Sequence, residues 1–135
     1  MFTAGPRYNR ITKSAMSKYF HPSEFKRCTP SCCIDDMNAA FLDILDRVRE
    51  RAGIPLVLNS AYRSKAYEHA RGRSGNGAHT RGMAVDIRCN TSANRMKIVR
   101  AALECGIVRI GIGKTYVHLD CDTSLVQGVI WHYYD

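Results

Sequence analysis

His79, Asp86 and His118 are the residues of this chain whose types and spacing point most directly to chemistry. The first two lie in Gly77-Ala78-His79-Thr80-Arg81-Gly82-Met83-Ala84-Val85-Asp86 and the third in Tyr116-Val117-His118-Leu119-Asp120. Two imidazoles and a carboxylate form a ligand set for Zn2+ that leaves the fourth tetrahedral position open. Zinc held in that way lowers the pKa of bound water and polarises a carbonyl, so the chemistry implied is hydrolysis.

Each residue also has a plainer explanation. Asp86 falls in the apolar segment Ala-Val-Asp-Ile, where a carboxylate is costly to bury unpaired, and a backbone or arginine partner would meet that need as well as a metal. A lone histidine on a strand is usually a hydrogen-bonded core residue. Period-two alternation, however, puts Tyr116, His118 and Asp120 on one face and Val117 and Leu119 toward the core, which sets the histidine beside a second carboxylate.

The elements that must position these residues are readable in outline. Residues 1–16 form a polar N-terminal arm and 17–135 a single domain. His21-Pro22-Ser23-Glu24-Phe25 predicts a short helical turn with Phe25 packed inward. Met37, Ala40, Phe41, Ile44, Leu45, Val48 and Ala52 recur at three and four, predicting a helix from Asp35 to Ala52 with Asp35 and Asp36 at its positive end and Gly53 closing it. Pro55–Ala61 reads as a core strand, and Ser64 caps a helix to about Arg71. The glycine-rich segment 72–77 leads to a strand at Met83–Arg88. Thr91 or Ser92 caps a helix over 93–105 with Met96, Val99, Ala102 and Leu103 inward and Gly106 after it. Ile107–Ile112 and Thr115–Leu119 flank a two-residue turn at Gly113-Lys114, and Val129–Tyr133 adds an edge strand. The order implies a small α+β domain, a mainly antiparallel sheet with helices packed on one side.

Composition narrows the setting. Hydrophobic residues at 45% and charged residues at 24% match a soluble globular domain. A formal charge of +8 suits an anionic partner such as nucleic acid, a membrane surface or a carboxylate-rich cell wall. No run of basic residues and no nucleic-acid-binding motif is present, so nucleic acid is not expected. No stretch approaches the roughly 20 apolar residues of a membrane span, and Met1–Arg10 lacks a signal-peptide core. The expectation is a monomer made in the cytoplasm. Six cysteines without such a leader read as reduced thiols. Cys28, Cys32 and Cys33 are best read as small buried apolar side chains, with disulfide pairing or a structural metal left as alternatives.

Gly-x-His-x-x-Gly-x-Ala-x-Asp followed by His-x-Asp resembles the peptidase M15 family, zinc D,D-peptidases and endolysins of the hedgehog/DD-peptidase fold. Asn59-Ser60-Ala61-Tyr62-Arg63-Ser64 is similar to the family's Ser-Gly-Tyr-Arg-Ser segment, and Tyr19-Phe20-His21-Pro22-Ser23-Glu24-Phe25 to its N-terminal turn. The resemblance spans Ser17 to Trp131. It implies that His79, Asp86 and His118 bind zinc and that Arg63 contacts the substrate carboxylate or developing oxyanion, a task suited to a planar, permanently charged fork. It further implies a peptidase acting on peptidoglycan peptide stems after release or non-standard export, with Ser60, Tyr62, Trp131 and His132 near the substrate. His132 alternatively caps the last strand.

Two positions depart from the family pattern. Gly77 replaces the usual serine, and Thr115 stands where some branches carry an acid three residues before the last histidine. The general base is therefore open: Asp120 is the first candidate, with orientation of a ligand imidazole as its other role, and Asp122 and Glu68 follow. His21 and His69 fall in no motif and read as surface residues. A non-catalytic zinc module of the same fold, binding wall fragments or a protein, is the alternative function.

Overall fold

The structure, a computed structural model, describes residues 17–134; the expected arm at 1–16 lies outside them. Helix α1 (Pro22–Lys26) starts on proline, whose preset φ fits the first helical position, and it buries Phe25 completely. A 3-10 turn at Ile34–Asp36 precedes α2 (Ala39–Ala52), which begins later than its periodicity predicts. The delay has a local cause. Asp36 turns its carboxylate back to the Cys33 N–H at 3.0 Å, Met37 is extended and fully buried, and the Asn38 side chain accepts from the Phe41 N–H at 3.0 Å. Asn38 therefore caps α2, while Asp35 and Asp36 belong to the preceding turn. Gly53, at φ 69°, closes the helix as expected.

Strand β1 (Leu58–Ser60) is shorter than the apolar run around it. Ser64 caps α3 (Lys65–Ala70) by accepting from the Tyr67 N–H at 3.1 Å. A 3-10 turn at Ala78–Arg81 leads into β2 (Ala84–Arg88), and Thr91 caps α4 (Ser92–Glu104) through the Asn94 N–H at 3.1 Å. Strands β3 (Arg109–Ile112), β4 (Tyr116–Asp120) and β5 (Val129–His132) complete the sheet. Gly113 donates its N–H to the Tyr116 carbonyl at 2.9 Å, so the two-residue turn is Lys114-Thr115, one step beyond the expected pair.

The five strands run in the order β1-β2-β4-β3-β5, antiparallel except for the β3–β5 pair. Helices α2 and α4 cover one face. Phe41, Leu45 and Val48 meet Ile98, Ala101 and Ala102 over Val85, Ile87, Ile110, Val117 and Leu119. Each fully buried aliphatic or aromatic side chain contributes about 1.5–3 kcal/mol. The buried face of α4 is rotated from the predicted one: Ala102 is buried and Val99 packs against the core as expected, but Met96 is 67% and Leu103 49% exposed, and Ile98 and Ala101 are buried in their place. Positions 98, 101 and 102 share a helical stripe, and 96 and 103 project away from it. The sheet's other face carries Asp86, His118 and Asp120 together with the aromatic rings of Tyr116 and Trp131.

Candidate metal centre

Asp86 and His118 sit at the centres of β2 and β4 and are direct partners in the antiparallel register, so the sheet itself brings them together. His79 arrives from the 3-10 turn. That turn is pinned to the entry of α2 by the Asn38 N–H, which donates to the Gly82 carbonyl at 2.9 Å. Gly82 has φ +68°, and a Cβ there would collide with the Asp36 carbonyl. The glycine between His79 and Asp86 is thus required both by its left-handed backbone and by close approach.

One donor atom from each of the three side chains lies within 4.8 Å of the others, the single such cluster among the described residues. His79 has its Nδ1 2.6 Å from the Ala61 carbonyl. A carbonyl can only accept, so Nδ1 carries a proton, and in the neutral imidazole the lone pair is on Nε2. That Nε2 is buried without a hydrogen-bond partner and lies 3.4 Å from Asp86 Oδ1. His118 turns Nδ1 toward Asp86 Oδ1 at 2.9 Å and Nε2 toward Asp120 Oδ2 at 2.7 Å. The donor set and the unpartnered nitrogen fit zinc: His79 Nε2, an Asp86 oxygen and His118 Nδ1 would hold it, with the outer nitrogen of each imidazole fixed by a hydrogen bond.

The carboxylates and imidazoles of the cluster hold one another's charges. Burial raises the Asp86 pKa, yet the His118 imidazole bonded to it and the His79 imidazole beside it outweigh that effect and hold the carboxyl well below its ordinary range. Burial lowers the His118 pKa, but bonding to Asp120 and Asp86 carries it upward. Asp120 is 1% exposed. Its Oδ1 accepts from Arg109 Nε at 2.7 Å and from the Asp122 N–H at 3.1 Å, and Oδ2 is engaged by His118. It stands on the far side of the His118 ring from Asp86.

A cavity of about 380 Å³ opens over these residues, walled by Arg63 and Arg73 and by Tyr116 and Tyr133. Arg63 donates from Nη1 to Ser60 Oγ at 3.2 Å, lies 3.7 Å from Asp86 Oδ2 through the same nitrogen, and places Nε 3.4 Å from Glu68 Oε2. Ser60 is buried behind Arg63 and donates to the Thr29 carbonyl at 3.1 Å, while Tyr62 packs half-buried against the core. Both support the site and do not line the cavity. Trp131 lies beside His118, with ring centroids 5.4 Å apart and the ring planes tilted by 52°. His132 does not join it. Trp131 is level with Gly111 and His132 with Ile112, so strand alternation sends the His132 ring to the opposite face, beside Tyr134.

Glu68 and Asp122 are also engaged, by Arg73 and Arg81 respectively. His21 and His69 are exposed as expected. Cys28 and Cys32 are buried, their thiols directed to the Glu24 and Phe25 carbonyls, and Cys33 is exposed; all six cysteines are free. Sequence reasoning missed Arg73, Arg109 and Tyr133. A signal existed for the aromatic wall in Gly111 and Gly113, where an added Cβ would run into Trp131 and Tyr133 or into Tyr116. Burial first, then the neighbouring Tyr133 and Asp86, push the Tyr116 phenol up to about 12, so it stays protonated at neutral pH.

The family model of peptidase M15 matches residues 18–122. Among solved structures, the L-Ala D-Glu endopeptidase ChiX of Serratia marcescens is similar in fold, with a TM-score of 0.50 at 18% identity over 74% of this chain and 90% of that one. No curated protein sequence matches.

Proposed function

Because the chain belongs to the peptidase M15 family, we propose that it is a zinc-dependent peptidase acting on the peptide stems of peptidoglycan, as a D-Ala-D-Ala carboxypeptidase or as an endopeptidase of the L-Ala-D-Glu type. The observation that carries the reading is the convergence of His79 Nε2, Asp86 and His118 Nδ1 at the floor of an arginine-walled cavity. The similarity in fold to an L-Ala D-Glu endopeptidase and the net charge of +8, matched to an anionic wall, support the substrate class.

Zinc, when bound, activates water and polarises the amide carbonyl. The chain's own residues do the rest. Asp120 holds the His118 ring so that Nδ1 faces Asp86, which makes it a positioning residue. Arg63, 3.7 Å from Asp86 and fixed by Ser60, offers a permanent positive charge to the oxygen of the reacting carbonyl. Tyr116 and Tyr133, phenols kept protonated, present hydrogen-bond donors from the facing wall.

One observation favours the second reading, a zinc module that binds wall fragments without cutting them. Among the described residues Asp86 is the one carboxylate in the cavity wall, and it is itself a ligand candidate. Mass spectrometry of purified muropeptides incubated with the zinc-loaded protein separates the two: fragments that vanish when a chelator is added are expected. Intact muropeptides in both samples, with binding retained, would establish the module instead.

A further inference from the structure

Arg73 is an arginine of the cavity wall that the zinc site does not use. It comes from the loop after α3, and that loop is tied to the helix by the Gly72 N–H to His69 carbonyl bond (3.0 Å), the Arg73 N–H to Glu68 carbonyl bond (2.9 Å) and the contact of His69 Nε2 with the Ser74 carbonyl (2.9 Å). Its guanidinium is fixed as firmly. Nε and Nη2 both donate to Glu68 Oε2, at 3.0 and 2.9 Å, and Glu68 is itself 5% exposed. Nη1 has no hydrogen-bond partner among the described residues, and the side chain is 49% exposed.

The same Glu68 oxygen also holds Arg63 Nε at 3.4 Å. Glu68 is shared between the two guanidinium groups, and Asp86, the other carboxylate beside Arg63, belongs to the candidate metal site, so Arg73 has only a share of one carboxylate to balance its charge. The two arginines are not equivalent. Arg63 lies deeper, 19% exposed and 3.7 Å from Asp86, where the reacting carbonyl belongs; Arg73 stands farther toward solvent on a preorganised loop. A half-exposed guanidinium with one free nitrogen and a fixed position matches a carboxylate better than a neutral group.

We propose that Arg73 is a specificity-determining residue that binds a free carboxylate of the stem peptide beside the scissile bond, leaving Arg63 for the carbonyl oxygen. The inference rests on the peptidoglycan-stem reading and deepens it. Its substrate is an anionic stem, and a stem whose carboxylate has been amidated is a poor one.

The test uses the zinc-loaded full chain and stem peptides that differ only in having each free carboxylate, in turn, replaced by carboxamide. The binding phase after rapid mixing is followed by fluorescence of Trp131, the one tryptophan, and products by mass spectrometry. Wild type is expected to prefer one carboxylate peptide over its carboxamide by roughly 10- to 100-fold, chiefly through KM, as for a charge-assisted hydrogen bond. Arg73→Gln brings that ratio close to one, and Arg73→Lys restores part of it. An Arg73→Gln protein that keeps the wild-type ratio, or a wild type that binds both forms equally or neither, overturns the proposal. A wild type that prefers the carboxylate, loses the preference on substitution and cleaves no peptide leaves Arg73 standing and removes the peptidase reading.

Discussion

At the scale of single residues, the site is ordered by the hydrogen bonds on the outer edges of its imidazoles. The Ala61 carbonyl settles which nitrogen of His79 carries the proton, and Asp120 does the same for His118 once a cation occupies the inner side. Asp120→Asn is therefore expected to weaken zinc binding and activity together, by about 10- to 100-fold. Zinc titration with a competing chelator alongside turnover decides the point: full zinc affinity with lost turnover would make Asp120 the general base. The candidate ligands were legible because Asp86 and His118 are unusual types on apolar strands and His79 follows at fixed spacing in a glycine-bounded turn. The engagement of Asp120 by Arg109 was not, because it depends on the β3–β4 register, which sets Arg109 opposite Asp120.

At the scale of elements, the turn carrying His79 is held by backbone contacts that no side-chain pattern announces. Gly82 packs against the carbonyl of Asp36 and closes the turn at φ +68°. Gly82→Ala adds a left-handed penalty of about 1–2 kcal/mol to a backbone collision, so a loss of about 2 kcal/mol or more is expected. Thermal or urea unfolding measures it; a variant as stable as wild type would mean that the turn reseats freely. Capping signals at Ser64, Thr91 and Gly53 were readable because they act within a few residues. The start of α2 was not, since Met37 leaves the helix to fill the core and Asn38 to meet Gly82. The inward face of α4 was misjudged for a related reason. Two faces of that helix carry apolar residues, and only the position of α2 selects Ile98 and Ala101 over Met96 and Leu103 beside the correctly placed Ala102.

At the scale of the whole molecule, buried carboxylates tie distant segments together and make the fold sensitive to acid. Burial raises the Asp122 pKa, but hydrogen bonds from Ser124 and the Arg81 guanidinium at 2.5 Å bring it below its usual range. In Glu68 burial is likewise outweighed, by Arg73 and then Arg63. Groups with depressed folded values lend their stability in full above their unfolded values of about 3.9 and 4.3, and that stability drains away as pH falls through the folded ones. The melting temperature is expected to hold near neutrality and fall below about pH 4, more steeply in wild type than in Asp122→Asn; equal slopes in the two proteins would count against this.

No helix among the described residues is long and apolar enough to cross a membrane, and the charge of +8 is a property of the composition alone. The candidate ligand set, the alternation of β4, most caps and the α+β class are likewise legible in the sequence, because they follow from residue type and from interactions within a few positions. Tertiary structure decided the rest. Strand register set Asp86 against His118 and turned His132 away. The fold brought Arg73 and Tyr133 to one cavity wall and committed Asp120 to the outer edge of His118. Each of these depends on pairing between segments far apart in the chain, and local periodicity carries no information about which strands will lie side by side.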